Sequence, residues 1–186
     1  MQATERIESI KLDLCNSKDV YINTKSFNKM TRLRLVRIDY SLDRLLPAIP
    51  SADLKQYVSG DLKFLSDELR LLCWHGCPYS SLPSNFRPRN LIDLDLRFSH
   101  IQRLWEGTKL MKMLKFVNLS RSIYLDRIPD FSEAINLEKL ILDGCSSLVE
   151  VHPSISALQN LVVCTLNGCE KLQDFPSSIR MKSLKI

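Results

Sequence analysis

Apolar and polar positions alternate along this chain in short bursts that return at a nearly constant interval. In the clearest burst, Leu137, Leu140, Leu142 and Cys145 occupy positions one, four, six and nine of a unit. The same slots hold Leu69, Leu72, Trp74 and Cys77; Leu91, Leu94, Leu96 and Ser99; and Leu114, Val117, Leu119 and Ser122. They are filled again by Leu161, Cys164, Leu166 and Cys169, and a half-unit opens with Leu184 and Ile186. First slots are separated by 22, 23, 23, 24 and 23 residues. Apolar groups at positions four and six share one face of an extended segment, so each unit predicts a short strand. Like units in tandem place those strands side by side and parallel, with one crossover per unit.

The spacing L-x-x-L-x-L-x-x-C is the signature of a leucine-rich repeat. It predicts an α/β right-handed solenoid, a horseshoe arc of about eight coils. A parallel β-sheet lines its concave side, and short helices or turns line the convex side. Each coil buries its leucines only against the next coil. The ninth slot holds Cys, Ser, Ser, Cys and Cys, small groups that can turn inward and bond backbone atoms left unpaired by the bend. Apolar residues followed by proline, at Leu82-Pro83, Ile128-Pro129, Val151-His152-Pro153 and Phe175-Pro176, end each strand region and steer the chain to the convex side.

The pattern extends upstream less regularly. Ile7, Ile10, Leu12 and Cys15 fill the slots of a first coil, and Leu33, Val36, Ile38 and Ser41 those of a second. Ser26 to Met30 reads as a helical turn with Phe27 and Met30 inward. From Leu33 to Leu69 the step is 36 residues, so residues 39–68 read as one coil carrying an insertion, with a short capped helix over Ser51–Tyr57. Residues 1–186 are therefore expected to be one repeat domain: 1–68 irregular, 69–186 regular. Further helical or tight turns are expected at 84–90, 107–113, 130–136, 154–160 and 177–183. No polar capping unit follows Ile186, which predicts an uncapped C-terminus and a fragment or truncated product.

Composition adds little to this picture. The chain has 186 residues, a net charge of +5 and a pI near 8.9. Residues 87–121 hold eight basic groups against Asp93, Asp95 and Glu106, a bias read first as a solvated face rather than a nucleic-acid stripe. No apolar run approaches a membrane span, and none resembles a signal peptide. Six cysteines without a secretion signal point to a reducing compartment. The sequon Asn118-Leu119-Ser120 falls on a predicted strand and reads as accidental.

Candidate chemistry is sparse. Cys73-x3-Cys77 and Cys164-x4-Cys169 approach zinc-knuckle spacing, but these cysteines fall largely on slots that packing explains. Glycines at 60, 76, 107, 144 and 168 form no phosphate loop, and His75, His100 and His152 have no partner at a catalytic spacing. No catalytic residue, cofactor or metal is expected. What the solenoid offers is a surface. Positions three, five and seven point away from the core, which assigns Leu71, Cys73, His75; Asp93, Asp95, Arg97; Phe116, Asn118, Ser120; Lys139, Ile141, Asp143; and Val163, Thr165, Asn167 to the concave face. Phe116, Ile141 and Val163 among charges, with Arg97 and Arg121 at one edge and His75 beside Arg97, suggest an apolar anchor and a positive rim for a protein with an acidic patch.

Several runs go beyond the generic repeat: IQRLWEG (101–107), LSRSIYLDRIPDFSEAINLEKLILDGCSSL (119–148), HPSI (152–155) and ELRLLCWHGCPYSSLPSNF (68–86), together with TERIESIKLDL (4–14) and SFNKMTRLRLVRI (26–38). In this order they resemble plant TIR-type nucleotide-binding leucine-rich-repeat disease resistance proteins. The resemblance covers nearly the whole chain apart from residues 39–63. It implies the repeat domain of an intracellular immune receptor, cytoplasmic or nucleocytoplasmic, that contacts pathogen effectors or guarded host proteins and restrains the nucleotide-binding domain. The family's TIR domain and nucleotide-binding loop have no counterpart in these residues. A truncated decoy or a plain repeat scaffold is therefore the alternative.

Overall fold

A computed structural model of the chain describes residues 5–14, 21–39 and 58–173. Its strands are β1 (Ser9–Asp13), β2 (Ile22–Asn23), β3 (Leu35–Asp39), β4 (Val58–Ser59), β5 (Leu71–Trp74), β6 (Asp93–Asp95), β7 (Phe116–Asn118), β8 (Lys139–Ile141) and β9 (Val163–Thr165). Seven of them form one sheet in the order β1-β3-β5-β6-β7-β8-β9, every neighbouring pair parallel. The pairing joins Ile10, Val36, Leu72, Leu94, Val117, Leu140 and Cys164 across the strands, which is the fourth slot of every unit. The expected register is the observed one. Seven coils lie within the described residues, against about eight expected; the half-unit at Leu184 and Ile186 lies outside them, as does the turn at 177–183.

The core is a stack of identical slots. Leu33, Leu69, Leu91, Leu114 and Leu137 in slot one, and Ile38, Trp74, Leu96, Leu119 and Leu142 in slot six, are all almost wholly buried. Aromatic side chains fill the wider gaps: Trp74 packs on Phe27 and edge-on to Tyr79, each at 6.0 Å, and Trp105 meets Phe131 edge-on at 6.2 Å. The turn at 26–30 is a 3-10 helix, Thr24–Lys29, with Phe27 and Met30 buried as expected. A second 3-10 helix spans Pro153–Ala157, and the stretches at 84–90, 107–113 and 130–136 are bends and turns. No α-helix occurs among the described residues. From β5 to β9 the 18–21 residues between successive strands are taken up by bends, turns and one short 3-10 helix.

The insertion is more ordered at its end than a loop. Val58–Ser59 pairs in parallel with Ile22–Asn23, and Leu62 and Leu65 are buried, so residues 58–68 already belong to the coil. Thr24 Oγ1 donates to Ser59 O at 3.1 Å and Tyr79 OH to Gly60 O at 2.7 Å, tying that return to the next coil. The expected helix at Ser51–Tyr57 lies outside the described residues.

Polar ladders run at right angles to the strands. In slot nine, Ser122 Oγ donates to Leu96 O (3.0 Å), Cys145 Sγ to Leu119 O (3.2 Å) and Cys169 Sγ to Leu142 O (3.2 Å). Each reaches the slot-six carbonyl of the preceding coil, the inward bond expected of a small group. Burial pushes the Cys145 thiol up to about 12, so it stays protonated and able to donate. A second ladder comes from the asparagine before slot one: Asn90, Asn136 and Asn160 donate through Nδ2 to Asp67 O, Lys112 O and Ile135 O. Asp130 of the PDFS run accepts from Thr108 Oγ1 (2.7 Å) and from Ser132 N (2.8 Å), closing the turn that inserts Phe131.

A third ladder is pure backbone. Slot eight takes positive φ in successive coils: Gly76 (66°), Phe98 (59°), Arg121 (59°), Gly144 (74°) and Gly168 (72°). This turn aims the N–H of Gly76, Phe98, Arg121 and Gly144 at the slot-seven carbonyl of the next coil, at 2.6–3.0 Å. The left-handed conformation costs an L-residue roughly 1–2 kcal/mol, and a Cβ on Gly144 would stand 3.1 Å from Arg121 Cγ. Gly107 also has positive φ but nothing within 4 Å of an added Cβ. Gly144→Val is therefore expected to cost more than Gly107→Val, about 2–3 kcal/mol against about 1–2. Urea denaturation of the two variants checks this; equal losses would mean that crowding between coils is negligible.

Candidate functional site

The sheet face away from the core carries three rows of side chains, one for each odd position. Row three runs Leu71, Asp93, Phe116, Lys139, Val163, and row five Cys73, Asp95, Asn118, Ile141, Thr165, in the observed pairing. The side chains assigned to the concave face differ in exposure along the arc. At the β5 end neighbours cover them: Cys73 is 6% and His75 4% exposed. His75, expected as an exposed contact residue, is instead enclosed by Asp39, Asp95 and Arg97 on the flanking coils. Toward β8 and β9 the face opens. Lys139 and Asn167 are exposed, and Phe116, Ile141, Val163 and Thr165 are half-buried.

The charged groups divide between structural and available ones. Arg97 lies beside His75 as expected, with Nη2 3.0 Å from Nε2. It also holds Asp95 through Nε at 2.9 and 3.1 Å. Burial raises the Asp95 carboxyl, but hydrogen bonds from His75 and Arg97 outweigh it and leave the group below the ordinary range. Asp93 meets no such donors among the described residues; burial, then Asp95, pushes it up. Asn118 Oδ1 accepts from Ser120 N and Oγ, and Asp143 Oδ1 from Asn167 N and Nδ2, so these groups brace the strand ends. Lys139 and Arg121 keep their charge toward solvent. Lys139 Nζ lies 5.8 Å from the Phe116 ring, and the Arg121 guanidinium 5.8 Å from the Phe98 ring. Phe98 was not assigned to this face; it sits at slot eight beside Arg121, and the shared slot was the signal that could have found it.

Much of the basic stretch is paired. Arg103 meets Asp126 and Glu106, and Lys115 meets Glu138. Lys109 Nζ donates to Ser84 O and Phe86 O at 2.9 and 2.8 Å. The arrangement is a half-apolar sheet face with a few exposed cations, suited to contact with another macromolecule.

Known proteins agree with this reading of the fold. The Leucine Rich Repeat family profile matches residues 90–109, the coil around β6. The chain is 39% identical over 169 residues to disease resistance protein RUN1 of Vitis rotundifolia, a match covering 83% of the chain and 13% of that protein. It is 37% identical over 185 residues to the protein SUPPRESSOR OF npr1-1, CONSTITUTIVE 1 of Arabidopsis thaliana, covering 98% of the chain and 12% of that protein. Disease resistance protein RRS1 of Arabidopsis thaliana matches at 37% over 172 residues, 92% of the chain and 13% of its own length. The chain thus spans about an eighth of the length of the curated relatives it matches. Its coils, its motifs and these matches converge: the chain is a leucine-rich-repeat solenoid similar in sequence to a part of plant disease resistance proteins.

Proposed function

We propose that this chain is the protein-binding repeat domain of an intracellular plant immune receptor, residues 1–186 forming one such domain. It takes part in recognising a pathogen effector or a guarded host protein and in restraining the receptor's nucleotide-binding domain. It acts by contact and carries no catalytic step. The observation that supports this best is the open half of the sheet face, where half-buried Phe116, Ile141 and Val163 lie on the strands around exposed Lys139, and exposed Arg121 lies against Phe98. Apolar anchors beside exposed cations fit a protein with an acidic patch, and binding of that kind weakens as salt rises. No helix among the described residues is long and apolar enough to cross a membrane, and the proposed compartment is the cytoplasm, with access to the nucleus.

The test is made in the full-length receptor. Phe116→Ala with Lys139→Glu is compared with Lys112→Glu on the convex side, scoring the effector-triggered response at equal protein accumulation. The concave pair is expected to abolish the response and the convex change to leave it intact. Equal effects from both faces would overturn the assignment, and an intact response in all variants would favour a plain scaffold. Arg97 and Lys109 are poor probes, since removing either leaves structural partners unpaired.

A further inference from the structure

The closed half of the concave face gathers metal-binding donors from separate coils. Asp39 ends β3, Cys73 lies in β5, and His75 follows β5 by one residue. One donor atom from each lies within 4.8 Å of the others. Asp39 Oδ1 stands 3.5 Å from His75 Nδ1 and 3.7 Å from Cys73 Sγ, while Sγ is 3.3 Å from the other ring nitrogen, Nε2. A tetrahedral zinc ion with ordinary bond lengths separates an oxygen donor from a nitrogen or sulfur donor by about 3.3–3.5 Å, close to both separations from Asp39 Oδ1. His75 Nδ1 is buried and makes no hydrogen bond among the described residues, although its ring faces the cluster. Around these donors three carboxylates, Asp39, Asp93 and Asp95, meet two guanidiniums, Arg37 and Arg97, which leaves an excess of negative charge in a half-buried place.

We propose that Asp39 Oδ1, Cys73 Sγ and His75 Nδ1 bind a divalent transition metal of the zinc class, with a water as fourth ligand on the concave side. Thiolate, imidazole and carboxylate together select zinc over calcium or magnesium. Asp95 supplies the outer support that a metal-bound histidine needs, its Oδ2 lying 3.3 Å from His75 Nε2. The protons balance simply. With the ring proton on Nε2 and donated to Asp95 Oδ2, Nδ1 offers its lone pair to the ion, and loading releases only the Cys73 thiol proton to solvent. Arg97 stays on Asp95 through its Nε throughout. The ion clips β3 to β5 across the 34 residues that separate Asp39 from Cys73, the longest connection in the array. A short cross-link over a long loop is where such a clip adds most stability. No metal was expected from the sequence, because the ligands are brought together only by the coil pairing.

The test uses the full chain, stripped with chelator and titrated with Co²⁺ and then Zn²⁺. One equivalent of Co²⁺ should give tetrahedral d–d absorption with a thiolate-to-cobalt charge-transfer band, and Zn²⁺ should displace it and raise the melting temperature. Cys73→Ser should remove the charge-transfer band, and Asp95→Asn, which removes no ligand, should weaken binding about 10–100-fold. Cys145→Ser should leave the spectrum unchanged. Far-UV circular dichroism of each variant separates loss of the site from loss of the fold, and His75→Gln provides a second ligand deletion should Cys73→Ser not fold. Absence of stoichiometric binding, a band that survives Cys73→Ser, or a band lost with Cys145→Ser would each overturn the proposal.

Discussion

Leu140→Asp is expected to unfold the regular coils at room temperature, or to cost at least about 4 kcal/mol if the chain survives. Leu140 is 0% exposed and lies in the fourth-slot row between Val117 and Cys164. Truncating a buried leucine alone costs roughly 2–5 kcal/mol through lost transfer energy and the cavity left behind. A carboxylate in that place adds a desolvation penalty that no neighbour offsets, since the surrounding row is apolar. The effect should spread, because each coil covers only the next and a breach exposes two interfaces. Chemical denaturation with tryptophan fluorescence, which reports Trp74 and Trp105, is the measurement. A loss below about 1 kcal/mol would mean that the fourth slot is not the core.

The second large effect is expected at Ser122→Ala, a change that removes the hydroxyl and adds no bulk. Ser122 is 0% exposed, and its Oγ donates to Leu96 O, lies 2.9 Å from Ser99 Oγ and accepts from Ser99 N at 3.3 Å. Alanine leaves these groups without that partner inside the stack, at roughly 1–3 kcal/mol for each buried group left unsatisfied, so a total of about 3 kcal/mol is expected. Cys145→Ser in the same slot should change stability by less than about 1 kcal/mol, because the hydroxyl can make the bond to Leu119 O that the thiol makes. The contrast is the test. If both substitutions cost the same, the slot selects for volume rather than for a donor.

The fourth, sixth and ninth slots were legible because burial demands an apolar or small donor side chain at fixed spacing, and Leu72, Leu94, Val117 and Leu140 pair as that spacing requires. Slot eight was harder. Its glycines at 76, 144 and 168 look scattered when read as a list, and Phe98 and Arg121 hide the backbone requirement behind side chains that rarely adopt positive φ. Reading the glycines by slot would have exposed it. The asparagine ladder likewise recurs before slot one at 90, 136 and 160, but its partner is a carbonyl one coil away that no local pattern marks. The exposure of the concave face was legible only in direction. Whether His75 is open or enclosed depends on Asp39, Asp95 and Arg97, and Asp39 reaches it only because β3 pairs with β5 across the insertion. That juxtaposition belongs to the assembled sheet.

The parallel sheet has a mechanical consequence. Every backbone bond of the ladder joins a strand to its immediate neighbour, so a pull on the two ends of the array loads the coils one after another. Such a body yields as a zipper does, each step freeing one unit of about 23 residues, or roughly 80 Å of extended chain. A closed β-sandwich sheared along its strands resists until many bonds break together. Here the resistance at any moment is that of a single interface.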